Sequence, residues 1–170
     1  TAEHKQRIRE QRKIVDASML QIGNIALHGL MERNMIFHEK DFPELEVMEA
    51  GCKIGVLSQV KKSPSRRERR GNGDNGQGKV YFPHKLFQEF LSALYLASIF
   101  NCDKDEYNKL MGQTIIQKKE EFRYVLYFTA SRGRDVGLDV VDRVISAQAH
   151  EYLAVDLAFE CQDPAAARMV

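Results

Sequence analysis

Between Val80 and Phe100 (VYFPHKLFQEFLSALYLASIF) the apolar spacing changes from that of a strand to that of a helix. Val80, Tyr81 and Phe82 are β-favouring residues in a row and predict a short strand. Pro83 brings no N–H to a ladder and ends it. From Lys85 onward Phe87, Leu91, Leu94 and Ser98 fall on one line, with Leu86, Phe90, Ala93, Ala97 and Phe100 beside it. That is helical spacing. A stripe this wide predicts a central helix covered on more than one side. His84 stands at the join, next to the free amides and positive dipole end of that helix, where an anion is favoured.

Upstream, Ile14, Val15, Met19, Ile22, Ile25, Ala26, Leu30 and Met31 recur mostly at three- and four-residue steps and predict a helix from Thr1 to about Asn34. Its first turns, TAEHKQRIREQRK, are polar and predict a solvated extension. Gly23 weakens the helix and implies close packing against a neighbour. A short strand over Met35–His38 follows. A second helix starts at Asp41 or Pro43, buries Leu45, Val47 and Met48, and stops at Gly51. Lys53–Lys61 reads as a strand that pairs antiparallel with Lys79–Phe82. Beyond the central helix, Asp103 or Asp105 caps a helix from Tyr107 to about Lys119. Further helices are expected at Glu120–Ala130, Leu138–His150 and Tyr152–Gln162. Asp163-Pro164 then breaks the chain or begins another. The predicted fold is mainly α with a small β-hairpin, divided into 1–100 and a helical bundle over 101–170.

Charge adds one feature. The hairpin strands are separated by KSPSRRERRGNGDNGQG, which has no apolar residue. Residues 61–79 hold seven Lys/Arg against Glu68 and Asp74, a net of +5 in a chain of net +1. We expect a disordered basic loop there. The whole chain offers no charge argument for nucleic acid or membrane. No apolar run approaches the roughly 20 residues of a membrane span. The start at Thr1 is charged, so no signal peptide is expected, and a start without methionine suggests a segment of a longer protein. Cys52, Cys102 and Cys161 form no CxxC or His/Cys cluster, so no metal site is expected and a reducing compartment suits them.

Phe82, His84, Phe87, Gln88, Glu89, Phe90, Ala93 and Leu96 form a pattern, aromatic–x–His–x–x–Phe–Gln–Glu–aromatic and then small and apolar. It resembles the end of the winged-helix part of a NACHT module, the switch of NLR innate immune receptors. Pro83 departs from it, standing where such receptors often carry an ordinary strand residue. IGNIALHGLMERNMIFHEKDF, through Ala26, Gly29, Ile36, Phe37, Glu39 and Asp41, is similar to the start of that domain. FRYVLYFTASRG and YLAVDLAFECQDPAAARMV look like the helical domain that follows it. The resemblance spans Met19–Val170. It implies a winged-helix domain to about residue 100, then a helical domain, in a cytoplasmic receptor that closes over ADP and oligomerises on sensing. By the same resemblance, His84 touches the β-phosphate of ADP held by an upstream nucleotide-binding domain. Leucine-rich repeats lie downstream, and receptor copies self-associate.

No G-x-x-x-x-G-K-[ST] is present, so no P-loop is expected in the chain itself. No nucleophile–base pair can be named, so no catalytic residue and no enzyme activity are expected of it. ADP or ATP enters only through the upstream domain, and no cofactor is expected for this segment alone. A lone histidine in such a place more often caps a helix; the motif tips the balance towards a phosphate latch. Gln88 and Glu89 read as a polar pair facing a neighbouring domain, or Glu89 as solvated or locally ion-paired. The other histidines, His4, His28, His38 and His150, read as packed or surface residues. Two other readings are a winged-helix nucleic-acid module using Arg66, Arg67, Arg69 and Arg70, and a plain helical scaffold. The helices show no matching basic face, which makes nucleic acid the weaker reading.

Overall fold

The computed structural model describes residues 2–60, 78–147 and 151–170. The basic loop expected over 61–79 falls almost wholly outside them. Its last residue, Lys79, opens a strand.

Helix α1 runs Ala2–Met31. Residues 4–17 are exposed, as a charged opening dictates, and burial begins at Ser18. Ile14 and Val15 lie on the solvated part (65% and 37% exposed), so the buried stripe starts later than the periodicity indicated, and Leu27 joins it. Arg33, at φ 57°, takes the left-handed turn that ends the helix, and the Asn34 N–H donates back to the Gly29 carbonyl at 2.7 Å. Strand β1 (Ile36–His38) leads through a 3-10 turn over Glu39–Asp41 into α2, Leu45–Lys53. Two expectations fail here. Leu45 is exposed, and Gly51 does not stop α2 but sits inside it, against Leu57 and Ile22. The turn comes at Gly55, whose φ of +80° favours glycine. The strand expected from Lys53 is accordingly only β2, Ser58–Val60.

Strand β3 is Lys79–Tyr81. It pairs antiparallel with β2, as expected, and also with β1, giving a three-stranded sheet of order β1-β3-β2. Phe37 and Val80 are partners in register and both turn inward, while Ile36 and Tyr81 face out. Helix α3 (Lys85–Cys102) follows. Asp103 then ends α3 and caps α4 (Lys104–Leu110) by accepting from the Glu106 N–H at 3.1 Å. The helix expected to continue to Lys119 instead widens into a π turn over Met111–Ile115, closed by the Ile116 N–H on the Met111 carbonyl. It gives way to turns over 116–122. The polar run QKKEE has little to bury, so no helical face holds it. Helices α5 (Arg123–Ala130), α6 (Arg134–Ser146), α7 (Glu151–Cys161) and α8 (Pro164–Ala167) complete the described chain. Ile145, expected to be buried, is 38% exposed. Asp163 caps α8 with Pro164 at its first position, so that dipeptide begins a helix rather than breaking the chain.

Two apolar clusters form among the described residues. One gathers Ile22, Ala26, Phe37, Phe42, Val47, Met48, Leu57, Val80, Phe82 and Leu91 around the sheet. Edge-to-face ring pairs Phe37–Phe42 and Phe37–Phe82 fix its centre. The other holds Tyr107, Met111, Leu126, Val140 and Leu157 among α4–α7. Helices α1 and α3 supply both clusters, through Ile22, Ala26 and Leu91 on one side and Leu27, Ala93, Leu96 and Ile99 on the other. Each fully buried leucine here is worth about 1.5–3 kcal/mol. Separating α1 from α3 would therefore cost both cores at once.

Candidate functional site: the head of α3

The head of α3 collects the residues singled out in the sequence. His84 is its N-cap, in an extended conformation at φ −141° and ψ 139°. Strand β3 ends before Pro83, so the chain turns here and leaves the first amides of α3 without intrahelical partners. The Leu86 N–H donates to His84 Nδ1 at 3.1 Å. A nitrogen that accepts carries no proton, so the ring's N–H is on Nε2. The residue is exposed, and that N–H is its donor. Leu86 and Phe87, expected to face inward, are each 41% exposed.

The next two positions reverse that pattern. Gln88 is fully buried, and its Nε2 donates to the carbonyls of Ala26 (3.1 Å) and Asn34 (3.2 Å). It thereby ties the end of α1 to α3, while its Oε1 is buried with no partner. Glu89 is only 2% exposed and forms an ion pair with Lys85 at 3.1 Å. Of the readings of Glu89 from sequence, the local ion pair is the one present, and the solvated one is not. Sequence periodicity could not give this burial, since it grades residues by polarity. Lys85 and Glu89 at a four-residue step were the one available signal.

Glu89 and Lys85 line a groove of about 610 Å³ between the end of α1, the head of α3 and the turn before α5. Arg33 spans it, donating from Nη2 to Glu121 at 2.6 Å. Sequence reading missed this groove, because its members are scattered over almost a hundred positions.

A second polar centre lies in the helical cluster. Asp139 accepts from the Tyr107 hydroxyl at 2.7 Å and from Arg143 Nε at 2.6 Å, with Lys104 Nζ at 3.5 Å. Arg143 also donates to Asn108. Burial pushes the Asp139 carboxyl up, but the hydrogen bonds from Arg143 and Tyr107 outweigh it, and the group sits below its ordinary range. Burial and the same Asp139 bond raise the Tyr107 phenol far above its usual value. These groups join α4 to α6 and satisfy one another, and read as a structural tie. Tyr127, bonded to Asp156 at 2.9 Å, is pushed up to about 12 by burial and that bond. Burial raises the Cys52 and Cys161 thiols, which weighs against a reactive role.

His28 is exposed, and His38 keeps a buried Nδ1 without a partner. His150 lies outside the described residues. Among the described residues no group of three or more His, Cys, Asp or Glu could hold a metal ion. No helix among them is long and apolar enough to cross a membrane.

Residues 13–70 match the family model described as the NLRC5 helix-turn-helix domain. The matched span takes in α1 from Lys13, β1, α2 and β2, and it supports a relationship to the NLR family. A search of curated proteins finds no match to the chain.

Proposed function

We propose that this chain is the regulatory segment of a NACHT-type signalling receptor. It closes over ADP held by an upstream nucleotide-binding domain and relays sensing to oligomer assembly. The observation that carries the reading is the state of His84. It is exposed at the head of α3, with Nδ1 committed to the Leu86 amide and the N–H of Nε2 as its donor. A phosphate oxygen accepting from that N–H would make a charge-assisted hydrogen bond worth about 1.5–3 kcal/mol. A contact of that size, made with one nucleotide state and not the other, biases a closed–open equilibrium roughly 10–100-fold. The shared helices α1 and α3 then transmit a pull at His84 to both apolar clusters. In this reading the chain is not itself an enzyme. Its setting is cytoplasmic, with leucine-rich repeats downstream.

Nucleic acid is a poorer fit. The helix before the hairpin, α2, exposes Glu46 and Glu49, which would oppose a phosphate backbone.

The test is the nucleotide content of a protein carrying both this segment and the nucleotide-binding domain. We expect the native protein to purify with ADP, and His84→Ala to lose it and self-associate. Equal ADP content and a monomeric state in both would reduce His84 to a helix cap.

A further inference from the structure

Two exposed faces take no part in the reading above. Helix α7 turns Leu153, Ala154, Leu157 and Ala158 into the helical cluster, yet its outer face is apolar too. Tyr152 (83% exposed), Val155 (51%) and Phe159 (78%) stand three and four residues apart and form one stripe. Exposed apolar residues grouped in this way mark an interaction surface. Asp156 and Glu160 flank the stripe, and α7 carries no Lys or Arg. Neither carboxylate has an ion pair among the described residues; the bond from Tyr127 to Asp156 comes from a neutral hydroxyl. Over residues 134–170 seven acids stand against three arginines, a net of −4. Two of those arginines, Arg134 and Arg143, are already bound to Asp163 and Asp139.

The exposed part of α1, residues 4–17, has the opposite charge. Five Lys/Arg stand there against Glu10 and Asp16, a net of +3. Ile8 and Val15, 50% and 37% exposed, precede the buried Ile22 at seven-residue steps and share its face. Lys5 and Arg12 run beside them. A polar helix with nothing packed on it is only marginally stable in water, so a partner would stabilise this one.

We propose that residues 4–17 of α1 in one copy of this chain dock antiparallel on the α7 stripe of a second copy. Ile8 and Val15 meet Tyr152, Val155 and Phe159, and Lys5 and Arg12 meet Asp156. The direction follows from the spacing. Asp156 follows Tyr152, and Arg12 follows Ile8, by four residues, so each charged flank lies on the same rotational side of its stripe. Like-sided flanks face each other when two helices run antiparallel. The contact is between copies because α1 is one continuous helix from Ala2 to Met31 and does not fold back on its own α7. Charge also selects α1 over a second α7, since antiparallel α7 helices would set Asp156 against Asp156. A contact between two unlike faces leaves one of each free at the ends, so it repeats until it closes into a ring. Two aromatic rings of roughly 150–250 Å² each fall short of the ~800 Å² per partner of a stable complex, so the association is transient.

The experiment is sedimentation of the chain over a wide concentration range at low salt, native and with Ile8→Glu or Phe159→Glu. Both positions are exposed, so both variants keep the fold. We expect the native chain to associate as concentration rises, and less so at high salt. Each variant alone should associate about tenfold or more weakly. Their equimolar mixture should form a dimer, because one variant keeps its α7 face and the other its α1 face. A native chain that stays monomeric, or a mixture no more associated than its components, would overturn the proposal. So would Ile8→Glu associating like the native chain, which marks α7 pairing with itself, or Phe159→Glu doing so, which marks α1 pairing with itself. Neither His84 nor a nucleotide enters this test, so its failure and that of the nucleotide reading are distinguishable.

Discussion

His84 has one observed role and one proposed role on the same ring, and the two can be separated. Nδ1 accepts from the Leu86 amide, so the side chain stabilises the start of α3 whatever Nε2 does. Loss of an N-cap acceptor typically costs about 1 kcal/mol. We therefore expect His84→Ala to lower the unfolding free energy by about that amount in urea titration. His84→Ser should recover most of the loss, because a serine hydroxyl is a good cap. An alanine variant as stable as the native chain would mean that the capping bond contributes nothing. Serine keeps the cap but removes the imidazole donor. The pair of substitutions thus distinguishes the structural role from the proposed contact with phosphate.

At the scale of the element, α1 and α3 are held together by close approach. A Cβ built on Gly23 would stand 2.3 Å from the Leu91 carbonyl oxygen, a backbone atom that cannot swing away. Gly23→Ala should force the helices apart and destabilise the chain by about 1–3 kcal/mol or more, seen as a lower Tm with loss of protection in both cores. An unchanged Tm would mean that the helices are not packed this closely. The sequence already carried this signal, since a glycine inside an apolar helical pattern costs about 1 kcal/mol against alanine and close packing is one reason to keep it. Strand β3, its proline stop and the central helix were legible for the same kind of cause, a change of period marked by a breaker. What was not legible had a tertiary origin. Gln88 and Glu89 are buried because α1 and the α5 turn cover them, and Leu86 and Phe87 are exposed because nothing does. Likewise α2 runs through Gly51 because Leu57 and Ile22 pack there, a reason that a local stop signal cannot contain. The head of α3 could be located from sequence, while the groove beside it could not.

For the whole molecule, the polar tie at Asp139 predicts how the helical part responds to acid. The folded-state value of this carboxyl is depressed, so its stabilisation is present above the ordinary aspartate value of 3.8 and is lost as the pH falls below it. Asp139→Asn should remove that part of the acid sensitivity and, at neutral pH, cost about 1.5–3 kcal/mol. Thermal melts of both proteins from neutral to acid pH should converge at the acid end. Curves that stay parallel throughout would show that Asp139 is not a source of the pH dependence. Under the proposed function the tie matters because a lever must be stiff. A pull on the head of α3 reaches α4–α7 only if α3, α4 and α6 move together.

The central claim is that this chain closes on a nucleotide-loaded domain through His84, and it can be tested in trans. Association of the chain with a separately produced NACHT nucleotide-binding domain would be measured by calorimetry, with ADP and with a non-hydrolysable ATP analogue. The account predicts saturable binding with ADP, weaker binding with the analogue, and a loss of about tenfold or more for His84→Ala and His84→Ser alike. Binding that ignores the nucleotide, or a serine variant that binds like the native chain, would contradict it.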